Sequence, residues 1–185
     1  KVTATLNALV VDDGIFFFAD TYVNECPSAD VLAKITLMAS EKVEDFGYKP
    51  KVALISHANF GSNHTPSALK MRDALTKIQT MAPDLEIEGE MHADAAIHPL
   101  VRDRIFPNSR LKGAANLLIM PSLESANISF NLAKALSNGQ NIGPVLLGAA
   151  KPVHILTPSA TVRGIINMTA IAVVDAQKRL KVERP

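Results

Sequence analysis

The residues 154–167, "HILTPSATVRGIIN", have the side chains and spacing of an anion site. An apolar run meets Thr157, Pro158 and Ser159 and then a helical pattern, so free backbone N–H groups point out of a first helical turn. Thr161 and Arg163 lie in that same start. Two further stretches share this chemistry: "SHANFGSNHTP", with Ser56, Asn59, Gly61 and Ser62, and "MPSLESAN", with Asn127 and, a turn further on, Asn131. All three are rich in Ser, Thr, Asn and Gly and carry little charge. That composition suits hydrogen bonding to phosphate or amide groups better than it suits proton transfer.

Other chemistries find less support. His57 and His64 share one loop and His92 and His98 another, but neither pair has the i,i+4 spacing of a zinc-binding helix and no cysteine cluster assists, so no metal site is expected. Ser56 and His57 are adjacent on a strand end and point to opposite faces, which disfavours a nucleophile and base pair, and no G-x-S-x-G elbow is present. The single glycine of "NFGSN" matches neither common nucleotide-binding fingerprint. Cys26 has nothing beside it in sequence to lower its pKa. His154, inside "PVHIL", reads as a partly buried strand residue.

The elements that must position these loops follow from periodicity. "VTATLNALVV" and "IFFFADT" read as a hairpin around the turn residues 12–14. Val31, Ile35, Met38, Ala39 and Val43 form a helical stripe that Gly47 ends, and residues 51–56 form a strand covered on both faces. Thr65 and Pro66 start a helix, Thr65 as its cap, with Ala68, Met71, Leu75 and Ile78 inward. In "LEIEGEMH" the alternation of Glu86, Glu88, Glu90 and His92 with apolar residues predicts a strand with one wetter face, near a sheet edge.

A short helix is expected near residues 99–105, a strand at "NLLIM", and then a helix burying Ile128, Leu132, Ala135 and Leu136. "GPVLLG" and "PVHIL" are the last apolar runs, with Gly143, Pro144, Lys151 and Pro152 flanking them. Thr157 and Pro158 open a final helix with Val162, Ile165, Ile166, Thr169 and Val173 on its buried stripe. The order predicts a three-layer α/β/α fold with a mostly parallel sheet and an antiparallel hairpin, and ligands in the loops beyond the carboxyl ends of the strands.

Composition narrows the class. The 185 residues carry 19 basic and 18 acidic side chains, mixed along the chain, which leaves no basic footprint for nucleic acid or for an anionic membrane surface. No apolar run approaches the roughly 20 residues of a membrane helix. One cysteine excludes an internal disulfide and points to the cytoplasm. The start, without Met or signal, reads as a piece of a longer chain.

Taken together, "FFFADTYVNECPSADVLAKIT", "KVALISHANFGS", "NLLIMPSLESANISFNLAKAL" and "TPSATVRGIINMTAIAVVDAQ" resemble the phosphotransacetylase family over essentially the whole chain. The resemblance implies the second lobe of a phosphotransacetylase-like (isocitrate/isopropylmalate dehydrogenase-like) domain over 1–156 and, over 157–185, a long helix returning toward a first lobe. Where that family carries Ser-Arg-Gly this sequence has Thr157, Pro158 and Ser159, and where it carries an acidic residue a turn later there is Gly164. Proline cannot hold phosphate, and glycine cannot accept a proton.

"SHANFGS", "GAAKPVHILTPSATVR" and "IINMTAIAVVDAQ" resemble more closely the carboxy-terminal domain of large bacterial NADP-dependent malic enzymes. This implies a parent chain that decarboxylates malate to pyruvate with NADP and a divalent metal, Mg or Mn, bound outside these residues. It also implies a non-catalytic domain that binds acetyl-CoA as allosteric effector and forms homo-oligomers through a dimer. Effector contacts are expected from Ser56, Asn59, Gly61, Ser62, Asn127, Asn131, Gly143, Pro144, Lys151, Thr157, Ser159, Thr161 and Arg163, with Lys151 the first choice for a CoA phosphate. The alternative is an active phosphate acetyltransferase or butyryltransferase.

Overall fold

The computed structural model describes residues 1–156, 158 and 160–182. The hairpin forms as its turn residues require: β1 (Ala4–Val11) pairs antiparallel with β2 (Gly14–Ala19). Each following crossover returns a strand parallel to β2. Helix α1 (Ala29–Asp45) leads to β3 (Lys51–Ile55), α2 (Pro66–Met81) to β4 (Glu86–Met91), and α3 (Ala93–Ile97) with α4 (Pro99–Ile105) to β5 (Leu117–Ile119). Helix α5 (Leu123–Ser137) then precedes β6 (Gln140–Leu147), which pairs antiparallel with β1. The sheet order is β4-β3-β5-β2-β1-β6.

Two cores sandwich this sheet. On one face α1 and α2 bury Leu32, Ile35, Val43, Met71 and Ile78 against Leu6, Phe17, Val52, Leu54, Leu117 and Ile119. On the other, Ala95, Ala96, Ala126 and Phe130 from α3 and α5 pack on Leu9, Phe18, Ala53, Ile55 and Leu118. Residues of β3 and β5 alternate between the two cores, so these central strands are apolar throughout, as expected for strands covered on both sides. The three-layer α/β/α sheet with one antiparallel hairpin is thus as the element order predicts.

Several elements differ from the reading of the sequence. The short helix α3 precedes the expected α4. Thr65 stands at the start of α2 but makes no side-chain cap; its hydroxyl shares a hydrogen bond with His57 Nε2 at 3.1 Å. Strand β4 does lie at the sheet edge, yet its acidic face is not wet. Glu88 and Glu90 are buried because loop backbone reaches them: Arg110 N–H donates to Glu88 (2.9 Å) and Gly61 N–H to Glu90 (2.9 Å), while Lys112 N–H donates to Glu86 (2.8 Å).

The expected α5 stripe faces outward. Ile128, Leu132 and Leu136 are exposed, and the sheet is met by Ala126 and Phe130 instead, the latter edge-on to Phe18 at 5.6 Å. "PVHIL" forms no strand. The last helix, α6, runs Val162–Val182 rather than from residue 157, and Val162, Ile165, Ile166, Thr169 and Val173 are exposed. Met168 and Ile171 face the core in their place.

Candidate functional site

Because β2, β3, β4, β5 and β6 run in one direction and β1 alone runs against them, the segments after β2, β3, β5 and β6 leave one edge of the sheet. The predicted ligand loops therefore share an edge. They do not converge on one point: β3 and β6 stand four strand spacings apart, about 19 Å.

The loop after β3 is built around a tight turn. Ser62 N–H donates to Asn59 carbonyl (2.9 Å) across Phe60 and Gly61, whose φ angles of 44° and 86° are both positive, which is why glycine sits at Gly61. Phe60 pays the strain of that conformation and is held by stacking on Phe106, 4.6 Å between centroids. The structure brings Ser56, Asn59, Gly61 and Ser62 together, but spends most of their polar groups locally. Ser56 Oγ accepts from Ala58 N–H (3.2 Å), Ser62 Oγ from Asn59 N–H (3.1 Å), and Asn59 Oδ1 from His92 N–H (2.8 Å). His92 Nε2 also donates to His57 carbonyl (2.9 Å), so two of the histidines serve the loop. Among the described residues no group of three His, Cys, Asp or Glu side chains could hold a metal ion.

Asn127 and Asn131 form a second group one turn apart on α5. Asn131 Nδ2 donates to Asn127 Oδ1 (3.1 Å), and Asn127 Nδ2 to the carbonyl of Thr21 (3.3 Å). Thr21 belongs to a buried polar cluster that sequence reasoning missed. Its hydroxyl donates to Asn7 Oδ1 (2.6 Å), Asn7 Nδ2 reaches Asn141 Oδ1 (3.2 Å), and Thr5 hydroxyl donates to Asp20 (2.6 Å). The signal was present in β1, where Thr5 and Asn7 alternate with Leu6 and Ala8: a polar residue repeated at period two in an apolar strand marks a polar face.

Gly143 and Pro144 do not flank β6; they lie inside it, opposite Asn7, where the β1 register shifts between Leu6 and Ala8. A Cβ on Gly143 would meet Leu6 carbonyl oxygen at 2.9 Å, and Pro144 needs no ladder hydrogen bond at a bulge.

A third group lies past β6. Lys151 lines a cleft of about 560 Å³ between α1, residues 146–154 and α6, with Met38, Lys42, His154 and Asp175. The His154 side chain is 5% exposed there, although the residue as a whole is only half-buried. Its Nδ1 accepts from Leu146 N–H (3.3 Å), which leaves the proton on Nε2, facing Asp175 Oδ2 at 3.2 Å. Asp175 also takes Lys42, and Lys178 holds Asp45 at 2.5 Å, so an ion-pair chain ties α6 to α1. Thr161 caps α6, which begins at Val162: its Oγ1 accepts from Gly164 N–H (3.1 Å). Arg163 is exposed in the first turn, and Pro158 occupies a turn five residues before it. Thr157 and Ser159 lie outside the described residues.

Comparison with known proteins agrees with this fold. A family model described as phosphate acetyl/butaryl transferase matches residues 1–173. The NADP-dependent malic enzyme of Escherichia coli is 56% identical over 173 residues, covering 93% of this chain and 23% of that protein. The phosphate acetyltransferase of Clostridium acetobutylicum is 35% identical over 168 residues, covering 90% of this chain and 50% of that protein. The EutD phosphotransacetylase structure from Staphylococcus aureus superposes with a TM-score of 0.88 at 30% identity, over 96% of this chain and 54% of that one. The chain thus spans under a quarter of the malic enzyme and about half of the transacetylases.

Proposed function

The chain belongs to the phosphate acetyl/butaryl transferase family, and from that premise we propose that it is a non-catalytic, acetyl-CoA-sensing domain of a malic enzyme. Pro158 and Gly164 carry the reading. They stand where the resemblance expects an arginine for phosphate and a carboxylate base, and neither has a group that can do either task. The 56% identity to a malic enzyme supports the choice of parent. That parent would oxidise and decarboxylate malate with NADP and Mg or Mn in the cytoplasm, as a homo-oligomer assembled in part through this domain.

Binding can outlast transfer because CoA is held by neutral donors and by cations. Lys151 and Arg163 are exposed at one end of the strand-end edge, the loop after β3 lies toward the other, and the Asn127–Asn131 pair, bonded to Thr21 just past β2, stands between them. An extended ligand such as acetyl-CoA suits groups spread over about 19 Å. To regulate malate oxidation, acetyl-CoA must bind two arrangements of the assembly with different affinity, and malate must then alter acetyl-CoA binding by the same factor.

The test is calorimetric titration of the full-length protein with acetyl-CoA, with and without malate, beside an assay of CoA-dependent phosphate release from acetyl phosphate. Binding without phosphate release is expected, with affinity changed by malate about 5- to 150-fold. No binding at millimolar ligand overturns the sensor, and steady phosphate release establishes the transferase instead.

A further inference from the structure

The loop after β3 rests on one buried charge. Glu90 of β4 is fully buried; its Oε1 accepts Gly61 N–H at 2.9 Å, while its Oε2 accepts no hydrogen bond. Its one charge partner among the described residues is Arg72 of α2, whose Nε lies 3.8 Å from Oε2. A buried carboxylate with an oxygen left unbonded is costly to keep. Oε2 is also sealed from any ligand, so Glu90 can act only through the groups it holds.

Those groups set the guanidinium of Arg72 from three sides. Nε faces Glu90, Nη2 donates to the Asn63 carbonyl at 2.9 Å, and Nη1 lies beneath Gly61, where a Cβ would stand 3.2 Å from it. Nη1 has no acceptor among the described residues. The side chain is 28% exposed, and glycine at 61 leaves the guanidinium uncovered where a larger residue would crowd it. A cation thus stands beside Ser56, Asn59 and Ser62, in a loop that sequence reading credited with neutral donors alone.

We propose that Arg72 binds a diphosphate group at this end of the strand-end edge and that Glu90 is the positioning residue that aims it. A guanidinium fixed along one side by a carboxylate presents its remaining N–H groups as a rigid fork, the geometry that phosphate oxygens accept. The diphosphate is that of acetyl-CoA, an assignment that rests on the effector reading above, or that of a free nucleotide. In the first case the phosphates lie at the β3 end of the edge, and Lys151, at the β6 end, meets another part of the ligand.

The test titrates the full-length protein calorimetrically with acetyl-CoA and with inorganic pyrophosphate. Arg72→Lys keeps a cation beside Glu90 but loses the fork, so it weakens binding about tenfold or more with little change in thermal unfolding. Should that variant not fold, the Arg72→Gln/Glu90→Gln double variant, which removes both charges together, shows the same loss. Glu90→Gln keeps an acceptor for Gly61 and frees the guanidinium to turn. It weakens binding in the wild type but adds nothing to Arg72→Lys, a coupling that a merely structural role does not produce. Acetyl-CoA binding that ignores Arg72→Lys overturns the proposal. If the wild type does not bind acetyl-CoA, the effector reading fails by itself: pyrophosphate binding weakened by Arg72→Lys then assigns the site to a free diphosphate, and absence of pyrophosphate binding as well overturns the proposal.

Discussion

Asp20 concentrates more hydrogen bonds than any residue singled out in the sequence. One carboxylate oxygen accepts from Thr5 N–H and hydroxyl and from Tyr22 and Val23 N–H, and the other from Asn24 backbone and side chain. The group is 5% exposed, so these donors have no water to turn to. Asp20→Asn replaces an acceptor by an NH₂ that confronts N–H groups, and is expected to cost about 3 kcal/mol. Urea denaturation measures it, and an unchanged midpoint would contradict the account. The same logic explains why the acids of β4 were misread. Alternation showed correctly that Glu86, Glu88 and Glu90 are polar positions in a strand, but not that Gly61, Arg110 and Lys112 would bring backbone donors to them from loops distant in sequence.

Among the elements, α1 and α2 were legible and α5 and α6 were not, for one physical reason. Periodicity reveals that a helix has an apolar stripe, not which side meets the sheet, and α5 has two candidates. Phe130 and Ala126 are buried while Ile128, Leu132 and Leu136 are exposed, the latter at 77%. Phe130→Ala is therefore expected to lower stability by about 3–5 kcal/mol, and Leu132→Ala by less than about 0.5 kcal/mol, both read from denaturation midpoints. A large loss at Leu132 would restore the sequence reading. In α6 the misreading came from its start: placing the cap at Thr157 rather than Thr161 shifts the helix by a full turn, although the rotation that buries Met168 is set by packing on β6 and α1. Of the candidate ligand residues, the sequence located the edge they share but not their spread along it, because strand order is a tertiary property.

At the scale of the whole molecule, α6 is attached differently from the other long helices. Few of its apolar residues are buried, and much of its attachment is ionic, through Asp175 to Lys42 and His154 and through Lys178 to Asp45. The hydrogen bond to Asp45 holds the Lys178 ammonium above the ordinary lysine value of 10.5. A raised folded-state pKa means the stabilisation is complete below 10.5 and is lost as pH climbs through the higher folded value. Proteolysis within residues 162–182 is accordingly expected to speed up above that range while cleavage elsewhere lags; equal protection across the chain would refute it. The imidazole that joins this helix to β6 has a consequence between molecules. β6 is an outer strand of eight residues, and an unpaired strand edge of that length recruits strands from other copies. His154 occupies Leu146 N–H with a ring nitrogen, and Pro144 offers no donor at all. Residues 144 and 154 thus deny an incoming strand two of the donors that this edge would offer, one by lacking an N–H and one by occupying it.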